Sequence, residues 1–220
     1  AQVLVVVGAN LATSYPLLLP HLRRFRDRGG RMIVVDPRTN RFTEEAAVHL
    51  PLRPGTDAAL ASGLLHLLVA DGSVDEAFVA ERTTGFAEAA AAAEAWGPER
   101  VAAVCHVNPD ALAEAARLLG SAERVLFWLA RGPEQQTSGV ENTLAYINVA
   151  LAVGAVGRPG CGIVSLTGQR NGHGGREHGM RADQLPGYRK IDDPGDRRDV
   201  AAFWGGPGES PPGRGLTYVE

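Results

Sequence analysis

The segment Val164–Arg189 combines many glycines with four arginines, a pattern of residue types that could bind an anion. Its arginines are Arg170, Arg176, Arg181 and Arg189, and Arg158 lies just upstream. Guanidinium groups suit flat oxyanions such as nitrate, carboxylate or phosphate, because they can donate two parallel hydrogen bonds. A segment so rich in glycine and so uneven in polarity is predicted to be neither helix nor strand, and long irregular segments commonly serve a ligand or a partner surface.

Four other segments could bind a nucleotide, because each follows a predicted strand. They are Gly8–Thr13, Asp36–Arg38, Arg53–Asp57 and Arg131–Gly139. In a doubly wound sheet, ligands bind beyond the carboxyl ends of the strands, and this is where such segments converge. The four segments are therefore predicted to form one site.

The residue types in these segments suit the parts of a nucleotide. Backbone amides of the loop at Gly8 could face a diphosphate, Asp36 could accept hydrogen bonds from a ribose, and Asp57 could accept from the amino and ring N–H groups of a guanine. Arg38 or Arg131 could pair with a phosphate. Simpler interpretations stay open: Gly8 as a tight turn, Asp36 as a loop acid before a proline, and Asp57 as part of a helix cap.

Other residues with catalytic or metal-binding chemistry lack a suitable spacing. His173 and His178, with Glu177 between them, match no zinc motif. The chain lacks the G-x-G-x-x-G fingerprint, which argues against a simple dehydrogenase. Cys161 lies between two glycines in a predicted turn, where a structural role is favoured over a nucleophilic one. We therefore predict no metal ligands in this chain.

Composition excludes several classes of function. The 220 residues are 45% hydrophobic and 21% charged, with a net charge of −3, which is an ordinary globular balance. This charge provides no general attraction to nucleic acid or to a membrane, and no apolar run is long enough to span a bilayer. Two cysteines, expected to be free thiols, indicate a reducing, cytoplasmic compartment. The chain starts at Ala1 inside an apparent strand, so we expect a piece of a longer protein.

The predicted elements are those of an α/β protein. Apolar runs predict four strands buried on both faces, at Val3–Val7, Arg31–Val35, Val48–Leu52 and Arg124–Ala130. A first helix is predicted after Thr13 or Ser14 as its cap, with Pro16 in its first turn. Further helices are predicted at Ala58–Ala70 with Thr56 as N-cap, Val74–Glu81, Phe86–Trp96, Pro98–Cys105, Asp110–Leu119 and Gly139–Val156.

Strand–helix–strand units of this kind build a doubly wound, mostly parallel, Rossmann-like sheet with right-handed crossovers. We predict a dinucleotide-binding domain over residues 1–165. From residue 166 to residue 220 the apolar content falls while glycine, proline and arginine are frequent. We predict an irregular, loop-rich extension there, with Pro207–Gly215 as almost pure loop.

Several stretches of the chain resemble one known family. They are VVVGANLATSYP, IVVDPRTNRFTEEAAVHLPLRPGTDAAL, ARGPEQQTSGVEN and RPGCGIVSLTGQRNGHGGREHG. Together they resemble the bis-molybdopterin guanine dinucleotide oxidoreductases, and within them the assimilatory and periplasmic nitrate reductases. The combination SLTGQ, GGREHG and LPGYR is the most specific and is similar to the assimilatory branch, as is Arg131, where periplasmic relatives often carry Met. The resemblance covers essentially the whole chain.

The resemblance implies a role for each loop. The first loop would cradle one pterin dinucleotide, the second and third would bind its nucleotide with Asp57 on the guanine, and the fourth would run past the pterin near the metal. Arg176 would guide nitrate into an active-site funnel. Residues 166–220 would either line this funnel or pack on domains absent from this sequence. The implied cofactor-binding residues are Gly8, Ala9, Asn10, Leu11, Ala12, Asp36, Pro37, Arg38, Gly55, Thr56, Asp57, Arg131, Gly132 and Gln135.

The resemblance also implies parts that this sequence does not contain. The family's iron–sulfur cysteine cluster, its molybdenum-ligating residue and its C-terminal pterin-binding domain have no match here. We therefore expect an internal piece, inactive by itself, of a cytoplasmic molybdenum enzyme that reduces nitrate to nitrite. Its partners would be the remaining domains, nitrate and an electron donor such as ferredoxin, flavodoxin or an NADH-linked reductase. Two alternatives stay open: another substrate such as formate, or a stand-alone nucleotide- or partner-binding module.

Overall fold

A computed structural model describes residues 1–168, 171–205 and 211–216. The chain forms two compact units, Ala1–Leu166 and Thr167–Glu220. Within the described residues, every helix is too short or too polar to cross a membrane.

The first unit is built on a five-stranded parallel sheet. Its strands are β1 (Val3–Val7), β2 (Arg31–Val35), β3 (Val48–Leu50), β4 (Val125–Leu129) and β5 (Gly162–Ser165). Their order across the sheet is β3-β2-β1-β4-β5, with Val3 opposite Arg31 on one side and Val125 on the other. This is the order of the first five strands in a doubly wound sheet, whose order reverses beside the first strand. The predicted α/β class with a parallel sheet is confirmed.

Helices cover both faces of this sheet. They are α1 (Leu11–Ser14), α2 (Leu19–Asp27), α3 (Arg41–Glu44), α4 (Asp57–Ala70), α5 (Glu76–Arg82), α6 (Phe86–Glu94), α7 (Pro98–Cys105), α8 (Pro109–Gly120), α9 (Arg131–Glu134) and α10 (Gly139–Ala152). Alternate strand residues point to opposite faces, so β1 divides its side chains between two apolar clusters. Val5 packs with residues of α4, α7, α8 and α10, and Val6 packs with residues of α1, α2 and α3.

The first crossover differs from the prediction. Helix α1 begins at Leu11, before Thr13, because the Asn10 side chain accepts a hydrogen bond from the Thr13 backbone N–H and caps it. Pro16 does not belong to this helix but opens a short 3-10 turn, Pro16–Leu18, which leads into α2. Three residues that commonly cap helices, Asn10, Thr13 and Ser14, lie within five positions. The sequence alone therefore does not show which of them caps the helix.

The second unit is more regular than predicted. It contains α11 (Gly172–Glu177), a two-stranded antiparallel pair, β6 (Gln184–Leu185) and β7 (Arg189–Lys190), and α12 (Pro194–Trp204). Side-chain caps explain both helices: Asn171 accepts from the Gly174 N–H, and Asp193 accepts from the N–H groups of Gly195 and Asp196. Such caps offset the low helix propensity of glycine. The expectation that Val164–Arg189 contains neither helix nor strand is therefore wrong.

One strand of the sheet, β5, was not predicted from the sequence, because its four residues follow a glycine-rich turn and include a glycine themselves. Residues 211–215 form neither helix nor strand, in line with the predicted loop, and the remainder of the predicted Pro207–Gly215 loop lies outside the described residues.

Candidate functional site

The loops after β1 and β4 touch at the carboxyl edge of the first unit's sheet. Gly8 has a positive φ of 63°, and a Cβ built on it would lie 2.6 Å from the Gly132 Cα. A Cβ on Gly132 would in turn lie 2.6 Å from the Gly8 Cα, and the Gly132 N–H donates to the Gly8 carbonyl at 3.2 Å. Both positions therefore require glycine, because any side chain would push the two loops apart.

The rest of the first loop offers backbone more than side chain. Leu11 is fully buried in the apolar cluster beneath the sheet edge, and Asn10 is engaged as the cap of α1. Ala12 is half-buried. A ligand at this loop would therefore meet N–H groups and small side chains, as expected for a loop that faces phosphate groups.

The loop after β2 carries a buried carboxylate with an internal cation. Asp36 is 1% exposed, and Arg38 donates to it through Nε and a terminal guanidinium nitrogen, both at 3.0 Å. The Arg38 backbone N–H also donates to Asp36, at 2.9 Å, and the Asp36 carbonyl is hydrogen-bonded to the His49 ring at 2.8 Å. The hydrogen bond to Asp36, together with the negative charge of this acid, raises the pKa of Arg38. Pro37, between them, is exposed.

The loop after β3 places a second buried carboxylate at the start of α4. Asp57 is 4% exposed. Gln136 donates from Nε2 to Asp57 Oδ2 at 3.1 Å, and the buried Tyr146 hydroxyl lies 3.4 Å from Oδ1. Burial raises the pKa of Asp57, against the opposing effect of these hydrogen bonds. Asp57 thus differs from Asp36 in having only neutral donors on its carboxylate.

Residues flanking Asp57 hold the third loop in place. Gly55 has a φ of 89°, which favours glycine. Thr56 is the N-cap residue by position, as predicted, but its hydroxyl donates to the Arg53 carbonyl at 2.6 Å and does not cap the helix. Asn142 accepts from the Ala58 N–H at 3.2 Å and donates to the Pro133 carbonyl at 3.1 Å. This asparagine ties the start of α4 to the loop after β4.

The loop after β4 is wound into the short helix α9. Arg131 is paired with Glu134 at 2.7 Å, and Glu134 also accepts from the Ser165 hydroxyl at 3.2 Å. Gln135 is exposed, whereas its neighbour Gln136 makes the contact with Asp57. The structure thus brings predicted residues from the first, third and fourth loops together, while Arg38 is engaged with its own acid.

The arginines that the sequence groups together have different partners in the structure. Arg181 pairs with Asp183 at 3.0 Å, and Arg189 donates to the Pro186 carbonyl. Arg158, in the first unit, pairs with Asp75 at 2.6 Å, and Arg170 lies outside the described residues. Arg176 is exposed in the last turn of α11 and makes no ion pair with any described residue. Among the described arginines of this group, it is the one for which the structure shows neither an ion pair nor a side-chain hydrogen bond.

The histidines of α11 are placed without a metal-binding partner set. His173 and His178 are both exposed, and the His178 ring is hydrogen-bonded to the Gly174 carbonyl at 2.7 Å. Across the described part of the chain, no group of three or more His, Cys, Asp or Glu side chains is arranged to hold a metal ion.

A family model for molybdopterin oxidoreductases matches residues 1–203. The chain belongs to this family. The resemblance inferred from the sequence is confirmed at that level. Among its relatives, the assimilatory nitrate reductase catalytic subunit of Bacillus subtilis is 35% identical over 100% of this chain and 31% of its own length. An F420-dependent formate dehydrogenase alpha subunit of Methanococcus maripaludis is 32% identical over 93% of this chain and 30% of its own length.

Among solved structures, the acetylene hydratase from Pelobacter acetylenicus matches with a TM-score of 0.66 at 26% identity, covering 70% of this chain and 21% of that chain. This chain spans about 30% of the length of the curated relatives quoted above. As a molybdopterin oxidoreductase chain, it belongs to a family with molybdenum–pterin cofactors.

Three residues of the site were not predicted from the sequence: Gln136, Asn142 and Tyr146. Gln136 stands beside Gln135, and spacing alone does not distinguish the two. Asn142 and Tyr146 lie in an apolar helix, where the available signal is that a buried polar side chain needs a partner. It indicates that each of these side chains has a hydrogen-bond partner, but it does not identify that partner.

Proposed function

We propose that this chain binds one arm of a bis-molybdopterin guanine dinucleotide cofactor within a larger molybdenum oxidoreductase, and that the parent enzyme reduces nitrate to nitrite. The remaining domains would hold the second arm, the molybdenum ligand and an iron–sulfur cluster. An electron donor such as ferredoxin, flavodoxin or an NADH-linked reductase would supply electrons.

The single observation that carries the nucleotide assignment is Asp57. The carboxylate of Asp57 is deeply buried and accepts hydrogen bonds from neutral donors only, so its ionised form has no cationic partner among the described residues. Guanine presents two adjacent N–H donors, from its ring and its amino group, and such a pair matches the two oxygens of a carboxylate. Hydrogen bonds to a charged acceptor are roughly twice as strong as neutral ones. Asp57 would therefore bind guanine and discriminate against bases without that donor pair.

The other loops fit the rest of the dinucleotide. Gly8 and Gly132 meet without side chains of their own at the ends of β1 and β4, which would let backbone N–H groups of Asn10–Ala12 approach a diphosphate. Asp36 would accept from ribose hydroxyls, with Arg38 fixing its orientation. Pro37, Gly55, Thr56 and Gln135 would shape the pocket, and Arg131, held by Glu134, would face the pterin.

The residues present therefore fit the cofactor, and their task is binding and orientation. When bound, the molybdenum centre would supply two electrons, which with two protons from solvent would convert nitrate to nitrite and water. The positive charge of Arg176 would attract the anion and raise its local concentration. Arg176 would not transfer a proton in the reaction.

Nitrate is favoured as the substrate because a nitrate reductase catalytic subunit from Bacillus subtilis is similar to the whole chain at 35% identity. Arg176, exposed and without an ion pair to any described residue, suits an anionic substrate in general. The second candidate is formate, since formate dehydrogenase subunits match at nearly the same identity. Formate is also an anion, so Arg176 does not separate the two. Assays of the full-length enzyme decide: nitrite production with a reduced dye supports nitrate, and dye reduction by formate supports the alternative.

The cofactor assignment is tested by Asp57→Asn in the full-length enzyme. Loss of a hydrogen bond to a charged group corresponds to about a tenfold or greater fall in cofactor retention. Molybdenum content and the guanosine monophosphate released by acid hydrolysis measure it. Asp110→Asn is the matched control, since Asp110 is an exposed acid in the first turn of another helix. Unchanged cofactor content in Asp57→Asn would refute the assignment.

A further inference from the structure

Gln136 connects three of the strand-end loops. Its amide nitrogen donates to Asp57 Oδ2 at 3.1 Å in the third loop and to the Gly132 carbonyl at 2.9 Å in the fourth. Gly132 in turn is in backbone contact with Gly8 of the first loop. A Cβ on Gly55 would lie 3.6 Å from Gln136 Oε1, so the same side chain also packs against the third loop's turn. Gln136 is thus placed where the loops converge.

The amide of Gln136 occupies the acceptor that a guanine would need. Asp57 is 4% exposed, with Gln136 on Oδ2 and Tyr146 on Oδ1. Tyr146 belongs to helix α10 and is fully buried in the larger apolar cluster of the first unit. Gln136 is only half-buried and is therefore the partner that an incoming molecule can displace. A carboxylate oxygen can accept more than one hydrogen bond, but Asp57 is 4% exposed, so a guanine that approaches Oδ2 from solvent meets the Gln136 amide first.

We propose that Gln136 is a latch over the guanine site: its amide satisfies Asp57 in the free protein and must be displaced when guanine binds. This inference rests on the proposed binding of guanine by Asp57. The latch lowers the affinity for guanine, whose two N–H donors need both oxygens of the carboxylate. Adenine presents a ring acceptor beside its amino group and does not form this pair, so the latch affects its binding less. Selection between the purines is made by Asp57 itself.

A different role for Gln136 has the opposite consequence. If the glutamine only positioned Asp57, its removal would leave the carboxylate less well oriented, and guanine would bind more weakly. A latch competes with the ligand, so its removal strengthens binding. The sign of the change in affinity therefore separates the two roles.

The experiment measures binding of GDP, with ADP as comparator, by titration calorimetry to the full-length protein prepared without cofactor. Gln136→Met keeps the side-chain length and removes the N–H donor. We expect its dissociation constant for GDP to fall by about fivefold, the size of one displaced hydrogen bond whose place water partly takes. Affinity for ADP should rise less. Gln136→Ala is the second variant: it removes the amide without adding a methionine side chain that could obstruct the pocket, and it should also bind GDP more tightly than the wild type.

The controls separate this inference from the proposed function. Thr137→Ala alters the exposed neighbouring residue and should leave GDP affinity unchanged. Asp57→Asn should abolish the preference for GDP over ADP; if that preference persists in Asp57→Asn, or is absent from the wild type, the guanine assignment itself fails. If Asp57→Asn behaves as expected but both Gln136 variants bind GDP no more tightly than the wild type, the latch is refuted while the guanine site stands.

Discussion

Two arginine–aspartate pairs, one in each unit, have the same spacing and nearly the same geometry but different surroundings. Arg38 donates two hydrogen bonds to Asp36, both at 3.0 Å, and Arg181 donates two to Asp183, at 3.0 and 3.2 Å. The Asp36 side chain is 2% exposed and that of Asp183 is 43% exposed. In the first unit the pair fixes a buried acid at the end of a strand, whereas in the second it neutralises a charge in solvent.

Burial, and not hydrogen-bond geometry, sets what a charge can do in these two pairs. A buried acid loses its water and must find partners in the protein or in a ligand. Asp36 is paired with the guanidinium of Arg38, whereas Asp57 accepts hydrogen bonds from neutral donors only. We therefore expect a ligand with N–H donors to bind at Asp57. In the second unit, exposed charges remain hydrated, so Arg176 can act only over a distance and weakly.

The largest expected effect separates the two pairs. Asp36→Asn removes the charged acceptor of Arg38 in a buried place, and we expect the free energy of unfolding to fall by about 1.5 kcal/mol. Asp183→Asn removes an equivalent but exposed acceptor, and about 0.5 kcal/mol or less is expected. Urea unfolding of both variants measures the difference. Equal losses would contradict the view that burial distinguishes the pairs.

A smaller effect concerns the pH dependence of Asp57. Its pKa is raised by burial, so the folded state binds the proton more tightly than the unfolded state. The contribution of Asp57 to stability is therefore complete below the ordinary aspartate pKa and is lost as the pH rises through the raised value. Asp57→Asn has no such loss, so the wild type should lose stability relative to this variant as the pH rises above the ordinary aspartate pKa of about 4.

Unfolding free energies of the wild type and Asp57→Asn across this range provide the measurement. The exposed Asp110→Asn serves as control, and its difference from the wild type should not follow the same trend. A difference between wild type and Asp57→Asn that is constant with pH would show that burial does not govern this carboxyl group.

The smallest effect is expected for Arg176. A single exposed charge contributes about 0.2–1 kcal/mol, so Arg176→Ala in the full-length enzyme should raise the Michaelis constant for nitrate about two- to fivefold. Turnover should change less, because a guide acts on encounter and binding more than on chemistry. Salt should reduce the effect, since exposed charges are screened over about 8–10 Å.

Steady-state kinetics at low and high ionic strength measure this effect, with Arg176→Lys as the variant that keeps the charge. Wild-type kinetics for Arg176→Ala at both salt concentrations would make Arg176 an ordinary surface residue. A loss of turnover as large as the change in the Michaelis constant would instead place it closer to the chemistry than an exposed guide.

The sequence by itself determined four of the five strands of the first unit's sheet, two of them with their ends. Val3–Val7 and Arg31–Val35 were predicted with the bounds that the structure has, because continuous β-branched runs fit only buried parallel strands. The helix at Pro98–Cys105 follows from the same local rules, with its proline in the first turn. Burial of Asp36 and Asp57 could not be predicted, although their places after strands could.

Only the tertiary structure decided which groups meet. Asp57 and Gln136 are 79 positions apart, and Asp57 and Tyr146 are 89 apart, so no local pattern connects them. The requirement for glycine at Gly8 and Gly132 arises from two loops that approach each other across neighbouring strands. Local propensity fixes the elements, whereas hydrogen-bond partners at the site depend on long-range packing. For the same reason, three arginines that the sequence groups together, Arg158, Arg181 and Arg189, have different partners in the structure, whereas Arg176 is exposed.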